Sequence, residues 1–360
     1  MARVIQWGTG NVGLHSLRGI LERPELELVG LRTYLPAKIG RDAGDFVGRP
    51  RLGVTATDDV DALIATEAEC VLYNALGTTL VSLDQPVDDI ARLLESGKNV
   101  IASAVDLFLY IRPGLAPAHV TPEIIARLTA ACEAGQSTFY AAGMTPGFAL
   151  DLWPITMTRV CRRVDHVKVT EIVNMHDYQS STMAFMGFGL PPDAPAGMYG
   201  LFEDAQNSPY AAALTLLVEA MGEHLDDIQY ERELATTPVP LSAPSGEYAP
   251  GTVVATRFRF VGIAAGRPLA TVEYVWRVTD DVAPAWPTGH CRWILEISGE
   301  PTLRTEMTLS TEQDARRPTS LTVAMHGLNA IPAVVAAPPG LANHLTLPVF
   351  GGRGRHSLRS

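Results

Sequence analysis

The stretch that decides the fold is residues 3–13, RVIQWGTGNVG, near the start of a 360-residue chain. Residues 3–7 are mostly apolar and predict a strand, and residues 14–21 predict a helix. The pattern between them is G-x-G-x-x-G. Its first glycine permits a tight turn from strand to helix, its second leaves room for a pyrophosphate, and its third lets the helix pack closely on the strand.

This pattern predicts a dinucleotide-binding loop rather than a merely structural turn, because it stands directly between a strand and a helix. Backbone N–H groups at the helix N-terminus, with the positive end of the helix dipole, would bind the diphosphate. The loop comprises Gly8, Thr9, Gly10, Asn11, Val12 and Gly13.

The residues after the second predicted strand, 26–31, indicate which dinucleotide binds. No acidic residue stands where an NAD enzyme would hold the ribose 2′-hydroxyl. Arg32, with Lys38 and Arg41 behind it, could instead bind a 2′-phosphate through charge-assisted hydrogen bonds. NADP is therefore the predicted cofactor and NAD the alternative. The alternative reading of the three cations is that they are ordinary solvated loop residues.

Composition limits the class of protein. The length suits two domains, and a 47% apolar, 19% charged chain is typical of a globular protein. The net charge of −11 argues against nucleic acid as a partner. No apolar run reaches the roughly 18 residues of a membrane span, and no signal peptide is recognisable, so we expect a cytoplasmic protein without a membrane partner. Four scattered cysteines without a CxxC pair suggest no metal site.

Strand and helix patterns alternate through the first part of the chain, which we assign to a domain at 1–145. Such alternation predicts a doubly wound parallel sheet, the Rossmann α/β fold. The predicted strands after the first are 26–31, 70–76, 99–103 and 137–142, and the predicted helices are 59–65, 84–96 and 122–134. Ala75 and Ser103, near the ends of two of these strands, are assigned to the cofactor site.

Longer strand patterns follow in a second domain, 146–350, which we expect to bind substrate and to mediate dimerisation. They predict an α+β domain with an open, largely antiparallel sheet. The predicted strands are 164–173, 251–264, 267–279, 291–298 and 302–309, with a helix at 209–225. A closing helix at 320–335, broken near Pro332, would return to the first domain, and 351–360 is expected to be a flexible tail.

Two loops should lie beside the nicotinamide, because ligands bind beyond the carboxyl ends of parallel strands. In residues 102–107, Asp106 is the sole carboxylate, and it could accept a proton from a substrate ammonium and hold the resulting cation. Capping a turn or facing water is its alternative role. In residues 143–148, Thr145 is expected to cap a helix with Pro146 in its first turn. Thr145 and Phe148 are assigned to the substrate pocket, with a core role as the alternative for Phe148.

A third segment, residues 175–188, is rich in aromatic and methionine side chains. It could form the apolar lining of a small-substrate pocket, to which we assign His176 and Tyr178, and His176 could orient groups or shuttle protons. A core or dimer contact is the alternative reading.

Several motifs together resemble a known family. They are residues 6–13 (QWGTGNVG), 38–44 (KIGRDAG), 143–148 (GMTPGF) with Asp151, 186–189 (MGFG) and 329–332 (NAIP). The chain is similar to the NAD(P)H-dependent amine dehydrogenases, which are dihydrodipicolinate reductase-like and include 2,4-diaminopentanoate dehydrogenase. The resemblance implies a homodimer of Rossmann subunits and reversible deamination of small amines, which in reverse is reductive amination of ketones or aldehydes with ammonia.

The family's loop after the fifth strand is Ser-Thr-Cys-Glu-Glu, and an acidic residue in it acts on the amine. In this chain Asp106 falls on the first glutamate position, and Leu107 replaces the second. The leading interpretation is an NADP-preferring amine dehydrogenase with Asp106 as its catalytic residue. The alternatives are an NADPH-dependent carbonyl or imine reductase and a catalytically silent NADP-binding protein.

Overall fold

The structure, a computed structural model, describes residues 1–75, 82–103, 108–111, 120–179, 183–195, 197–208, 210–282, 286–310 and 318–354. Contacts divide the chain into two compact units. The first unit combines Met1–Phe148 with Ser320–Ser360, and the second is Ala149–Thr319. The predicted catalytic Asp106 and the last six residues lie outside the described ranges.

The first unit contains a seven-stranded sheet in which every pairing is parallel. Its strands are β1 (Ala2–Trp7), β2 (Leu26–Arg32), β3 (Ala56–Thr57), β4 (Cys70–Tyr73), β5 (Asn99–Ala102), β6 (Thr138–Ala141) and β15 (Gly340–Ala342). Their order is β15-β6-β5-β4-β1-β2-β3. The chain therefore winds in both directions from β1, and the predicted Rossmann sheet is confirmed.

Helices cover both faces of this sheet. They are α1 (Asn11–Glu22), α2 (Val60–Ala65), α3 (Asp84–Glu95), α4 (Pro122–Gly135) and α8 (Pro318–Val335). Successive strand residues point to opposite faces, so Val4 packs with Leu17 of α1 and Leu328 of α8, whereas its neighbour Ile5 packs with residues of α3 and α4. Each face of β1 thus belongs to a separate apolar cluster.

The predicted break at Pro332 is wrong, because α8 continues through this residue to Val335. A proline within a helix cannot donate to the carbonyl four residues earlier, which here belongs to Leu328. The buried Arg23 supplies the missing donor, since its Nη1 lies 3.3 Å from the Leu328 oxygen. Arg23 also donates to the side-chain oxygen of Asn329. A distant cation thus satisfies the carbonyl that the proline leaves open.

The second unit is built on a six-stranded sheet of order β14-β13-β7-β12-β11-β8. The elements are β7 (Arg163–Asn174), β8 (Asp227–Thr236), β11 (Val253–Ala264), β12 (Arg267–Arg277), β13 (Arg292–Glu300) and β14 (Leu303–Thr308), with a hairpin of β9 (Leu241–Ala243) and β10 (Gly246–Tyr248) and helices α5 (Leu152–Thr158), α6 (Gly197–Glu203) and α7 (Ala211–Ala220). Only β7 and β12 pair in parallel, so the prediction of a largely antiparallel sheet is confirmed.

A charged cluster lies on this second sheet around Glu273, whose side chain is 1% exposed. Its carboxylate accepts from Arg257 at 2.8 Å and Arg259 at 2.7 Å, and Lys168 lies 3.0 Å away. Burial opposes ionisation, but the hydrogen bonds from these cations lower the pKa of Glu273 to about 2. The buried carboxylate is therefore ionised and paired.

Within the described residues, no helix combines the length and the apolar character that crossing a bilayer requires.

Candidate cofactor and active site

The carboxyl ends of the parallel strands are aligned at one edge of the first unit's sheet. Trp7 pairs with both Arg32 and Tyr73, Tyr73 pairs with Ala102, and Ala102 pairs with Ala141. The residues that follow these positions therefore emerge together, and they are Gly8, Thr33, Asn74, Ser103 and Ala142. Rossmann proteins bind dinucleotides at this edge, where the winding direction reverses between β1 and its neighbour.

The three motif glycines meet different surroundings. Gly8 has a φ of +110°, and a Cβ there would lie 2.8 Å from the Asn74 oxygen. A Cβ on Gly13 would overlap the Gly8 carbonyl oxygen. A Cβ on Gly10 would meet nothing within 4 Å. The protein's own packing thus requires two of the glycines, whereas the third leaves open space of the kind a diphosphate would occupy.

The N-terminus of α1 also fits an anion. Gly10 is the N-cap residue and offers no side-chain hydrogen bond, and no acidic residue lies in the first turn. The first N–H groups of the helix, on Asn11, Val12 and Gly13, precede the first intrahelical bond, from Leu14 to the Gly10 oxygen. This end of the helix can therefore donate to a diphosphate of a bound dinucleotide.

Asn74 is a site residue that the sequence analysis missed. Its Oδ1 accepts from Gln6 Nε2 at 3.0 Å and from Ser16 Oγ at 3.2 Å, and Gln6 Nε2 also donates to the Gly8 oxygen at 3.0 Å. Asn74 thus ties the end of β1 to α1. It was hidden inside the predicted strand 70–76, whereas β4 ends at Tyr73.

Arg32 lies at the end of β2 among aromatic rings and is 6% exposed. Its guanidinium carbon is 4.5 Å from the centre of the Tyr34 ring and 5.9 Å from that of Trp7. Its Nε has no hydrogen-bond partner among the described residues. Tyr34 accepts from Trp7 Nε1 at 2.9 Å and faces Asp89 at 3.4 Å. Burial raises the pKa of Asp89, and the Arg32 charge opposes this rise.

Lys38 reaches the glycine loop. Its Nζ lies 2.7 Å from the Thr9 oxygen and 3.3 Å from Thr9 Oγ1. Arg41 lies over the Phe46 ring at 4.8 Å, and Lys38 lies over the same ring at 5.8 Å. Asp42, the residue after Arg41, accepts from the backbone N–H groups of residues 44, 52 and 53. Of the predicted cations, Lys38 thus contacts the glycine loop, and Arg41 lies on the same ring as Lys38.

Ala75 and Ser103 are both buried at the same edge. The backbone N–H of Ser103 donates to the Tyr73 oxygen at 3.0 Å. Ser103 Oγ has no hydrogen-bond partner within the described part of the chain, and it would lie 3.0 Å from a Cβ on Gly327 of α8. The end of β5 therefore lies against α8.

Residues 143–148 do not begin a helix, so the predicted capping by Thr145 is wrong. Gly147 has a φ of +118°, which a right-handed helix cannot include. The next helix, α5, begins at Leu152, and the side chain of Asp151 caps it by accepting from the Leu152 N–H at 2.6 Å. Thr145 and Phe148 lie instead in a tight turn of the first unit, in which Phe148 N donates to the Met144 oxygen at 3.3 Å.

His176 and Tyr178 belong to the second unit, just after β7. His176 is exposed, and its Nδ1 lies 3.1 Å from Asp177 Oδ1. Tyr178 is 36% exposed. Farther along this segment, Met183 and Phe188 are buried. The assignment of His176 and Tyr178 to a substrate pocket stays a prediction.

Among the described residues, no group of three or more histidine, cysteine, aspartate or glutamate side chains could hold a metal ion. The doubly wound sheet and its glycine loop define the class of Rossmann-fold dinucleotide-binding proteins.

Comparisons with known proteins refine this class. Residues 148–353 match the family described as the 2,4-diaminopentanoate dehydrogenase C-terminal domain. An amine dehydrogenase of Streptomyces virginiae is 31% identical, over 99% of this chain and 98% of the relative. The 2,4-diaminopentanoate dehydrogenase of Acetoanaerobium sticklandii is 22% identical, over 96% and 93%. The structure of an amine dehydrogenase from Mycobacterium smegmatis superposes with a TM-score of 0.77 at 22% identity, over 98% and 97% of the two chains.

The chain therefore belongs to the amine dehydrogenase family, as its motifs indicated, and it is an NAD(P)-dependent oxidoreductase.

Proposed function

We propose that the protein is an NADP-preferring amine dehydrogenase. It would deaminate small amines oxidatively and, in reverse, aminate ketones or aldehydes with ammonia. The names of the two curated relatives support the amine chemistry. The observation that carries the cofactor preference is the Lys38 ammonium beside Thr9, in a stretch, residues 32–41, that contains no acidic residue.

The cations after β2 suit a 2′-phosphate. The described hydrogen bonds of Arg32 and Lys38 go to backbone carbonyl and hydroxyl oxygens, and Arg41 contacts a ring. Within the described residues none of the three cations forms an ion pair, although the Arg32 charge acts on Asp89. A carboxylate in this place would bind the 2′-hydroxyl of NAD and repel a phosphate.

The residues have distinct roles in this proposal. The loop Gly8–Gly13 and the N-terminus of α1 would bind the diphosphate, and the cofactor, when bound, would supply hydride transfer to or from the substrate carbon. Asp106 would accept the proton that the substrate ammonium loses and pass it to solvent, and the carboxylate so regenerated would stabilise the iminium that hydride loss creates. The net reaction converts amine, oxidised cofactor and water into carbonyl, ammonia, reduced cofactor and a proton.

Turnover tests the chemistry directly. Purified protein with NADPH, ammonia and a panel of small ketones and aldehydes should consume NADPH only when ammonia is present. Consumption without ammonia would favour a carbonyl or imine reductase. Tight NADPH binding with no turnover would contradict the amine dehydrogenase assignment. Asp106→Asn should abolish turnover while leaving the NADPH Kd nearly unchanged, and an unchanged rate would remove Asp106 from the mechanism.

The cofactor preference has its own test. Loss of one charge-assisted hydrogen bond to a phosphate costs about 1.5–3 kcal/mol, so Lys38→Ala should raise the NADPH Kd about 10- to 150-fold. The NADH Kd should stay near the wild-type value. Arg49→Ala is the matched control, because Arg49 is an exposed cation of the same region. Equal losses for NADPH and NADH would refute the role of Lys38 at the 2′-phosphate.

We also propose that the protein is a cytoplasmic homodimer, the dimer being implied by the family resemblance. Light scattering should give twice the 38.7 kDa chain mass, and a monomer at working concentration would contradict the proposal. Fractionation of cells that express the protein would test the localisation.

A further inference from the structure

Three side chains form a hydrogen-bonded chain beside the carboxyl end of β6. The hydroxyl of the buried Tyr140 lies 3.3 Å from His326 Nε2 and 2.8 Å from His344 Nδ1. His326 is on α8, and its Nδ1 lies 2.8 Å from the Gly143 oxygen. The two imidazoles are stacked, with ring centres 5.6 Å apart.

The Gly143 carbonyl fixes the direction of the hydrogen bonds of His326. A carbonyl oxygen can only accept, so His326 Nδ1 must carry the proton that faces Gly143. In the neutral ring Nε2 is then the acceptor that faces the Tyr140 hydroxyl. Burial lowers the pKa of His344 to about 4, which keeps this ring neutral near pH 7. The chain of donors therefore ends on the backbone of Gly143.

His326 contacts both ends of the turn 143–148. It bonds to Gly143 at the first residue, and its ring packs against the edge of Phe148 at the last, with centres 5.8 Å apart. The turn is also closely packed on itself, since a Cβ on Gly143 would overlap the Pro146 oxygen. One imidazole thus holds a compact turn at its two ends.

This turn lies on the nicotinamide side of the sheet edge. With the diphosphate at β1 and the adenosine ribose at β2, the other half of a dinucleotide extends over β4, β5 and β6. Gly143 lies two residues after the end of β6, and the neighbour of His326 on α8, Gly327, lies against Ser103 at the end of β5. This part of α8 therefore contacts the ends of both β5 and β6.

We propose that His326 is a positioning residue of the reaction, which fixes the turn 143–148 beside the nicotinamide by donating to the Gly143 carbonyl from Nδ1. The predicted effect of His326 on turnover rests on the function proposed above. Its predicted effect on the turn 143–148 does not depend on that function. His326 acts through Gly143 and Phe148 and is not assigned contact with the substrate.

Two variants of equal charge separate the two ring nitrogens. The amide nitrogen of His326→Asn can replace Nδ1 and donate to the Gly143 oxygen. The amide of His326→Gln extends toward the place of Nε2 and leaves that oxygen without its donor. Hydrogen exchange of the protein without cofactor, followed by mass spectrometry over peptides covering 143–150, reports directly on the turn.

We expect exchange in His326→Gln to be faster than wild type by about tenfold, as the loss of one hydrogen bond allows, and His326→Asn to stay within about twofold. In turnover, kcat should fall about 10- to 100-fold in His326→Gln because the turn is displaced. The NADPH Kd should not change, whereas a general loss of folding would raise it. His326→Asn should restore most of kcat.

Equal exchange and equal kcat in the two variants would overturn the inference. If His326→Gln does not fold, Tyr140→Phe replaces it, because loss of the hydroxyl removes the hydrogen bond that holds the imidazole at Nε2. Unchanged exchange at 143–150 in this variant would be equally decisive against the inference. If the wild-type protein shows no amine turnover, the proposed function fails, and the exchange data alone then decide whether His326 holds the turn.

Discussion

Substitution of Gly10 by alanine should separate cofactor binding from folding. Gly10 has a φ of −80° and a ψ of −172°, which alanine adopts freely, and its Cβ would meet no atom within 4 Å. Alanine reduces the conformational entropy of the unfolded chain, which raises the free energy of unfolding by about 0.4–1 kcal/mol. The thermal midpoint without cofactor should therefore stay the same or rise slightly.

Cofactor binding, in contrast to stability, should be weaker in Gly10→Ala than in the wild type. The added methyl group would stand where the backbone must approach the diphosphate. The loss of one charge-assisted hydrogen bond, about 1.5–3 kcal/mol, corresponds to a Kd for NADPH that is about 10- to 150-fold higher.

Gly13→Ala is the matched control. Its Cβ would overlap the backbone oxygen of Gly8, and such overpacking costs about 1–3 kcal/mol, or roughly 2–12 °C in Tm for a domain of 150–250 residues. Fluorescence titration with NADPH and thermal melts of both variants make the comparison. If Gly10→Ala binds NADPH as tightly as wild type, or melts as early as Gly13→Ala, the assignment of the open space at Gly10 to the diphosphate is refuted.

Three further predictions concern stability and reactivity. Arg23→Met should lower the free energy of unfolding by about 1–3 kcal/mol, because the Leu328 carbonyl loses its donor. Pro332→Ala added to Arg23→Met should recover part of this loss in urea melts, because alanine restores a backbone N–H for that carbonyl. Strictly additive effects of the two substitutions would contradict the proposed compensation. The pKa of Glu273 is lowered from 4.5 to about 2, so its contribution to the free energy of unfolding is present above pH 4.5 and lost as the pH falls toward 2. In Glu273→Gln the urea midpoint should therefore decline less steeply between pH 5 and 3 than in the wild type. Parallel declines in the two proteins would argue against this role of Glu273. A thiol reagent should label only Cys161 in the native protein and all four cysteines after denaturation, because burial raises the pKa of the thiols of Cys70, Cys132 and Cys291. Rapid labelling of more than one thiol in the native protein would contradict this burial.

The elements that could be predicted from the sequence are those with a continuous apolar pattern. Strands such as β4 and β5 are buried on both faces and consist largely of apolar residues. Strand β8 was missed because its sequence, DIQYERELAT, is mostly charged or polar and it owes its place to pairing with β11. Strand β15 is only three residues long. Pairing partners distant in the chain, which no local pattern reveals, determine both elements.

In the candidate site, too, the features that the sequence predicted are local, and those it missed depend on residues distant in the chain. The glycine loop is a local signal, and the structure places it where the motif predicts. The Thr145–Pro146 sequence is also a local signal, but the backbone of Gly147 shows that the same residues can form a turn. His326 and His344 could not be connected with Tyr140 from the sequence, because 186 and 204 residues separate them from it. Only the return of the chain to the first unit through α8 brings these side chains together.

That return has a consequence for exchanging parts between relatives. The second unit is one uninterrupted segment, Ala149–Thr319, inserted into the chain of the first. A chimera with a single crossover near residue 148 would import a foreign α8 and β15 together with the graft, and the imported helix would have to match the apolar partners and Arg23 of the host. A graft with two crossovers, near residues 148 and 320, leaves the host's nucleotide-binding sheet with all its own strands.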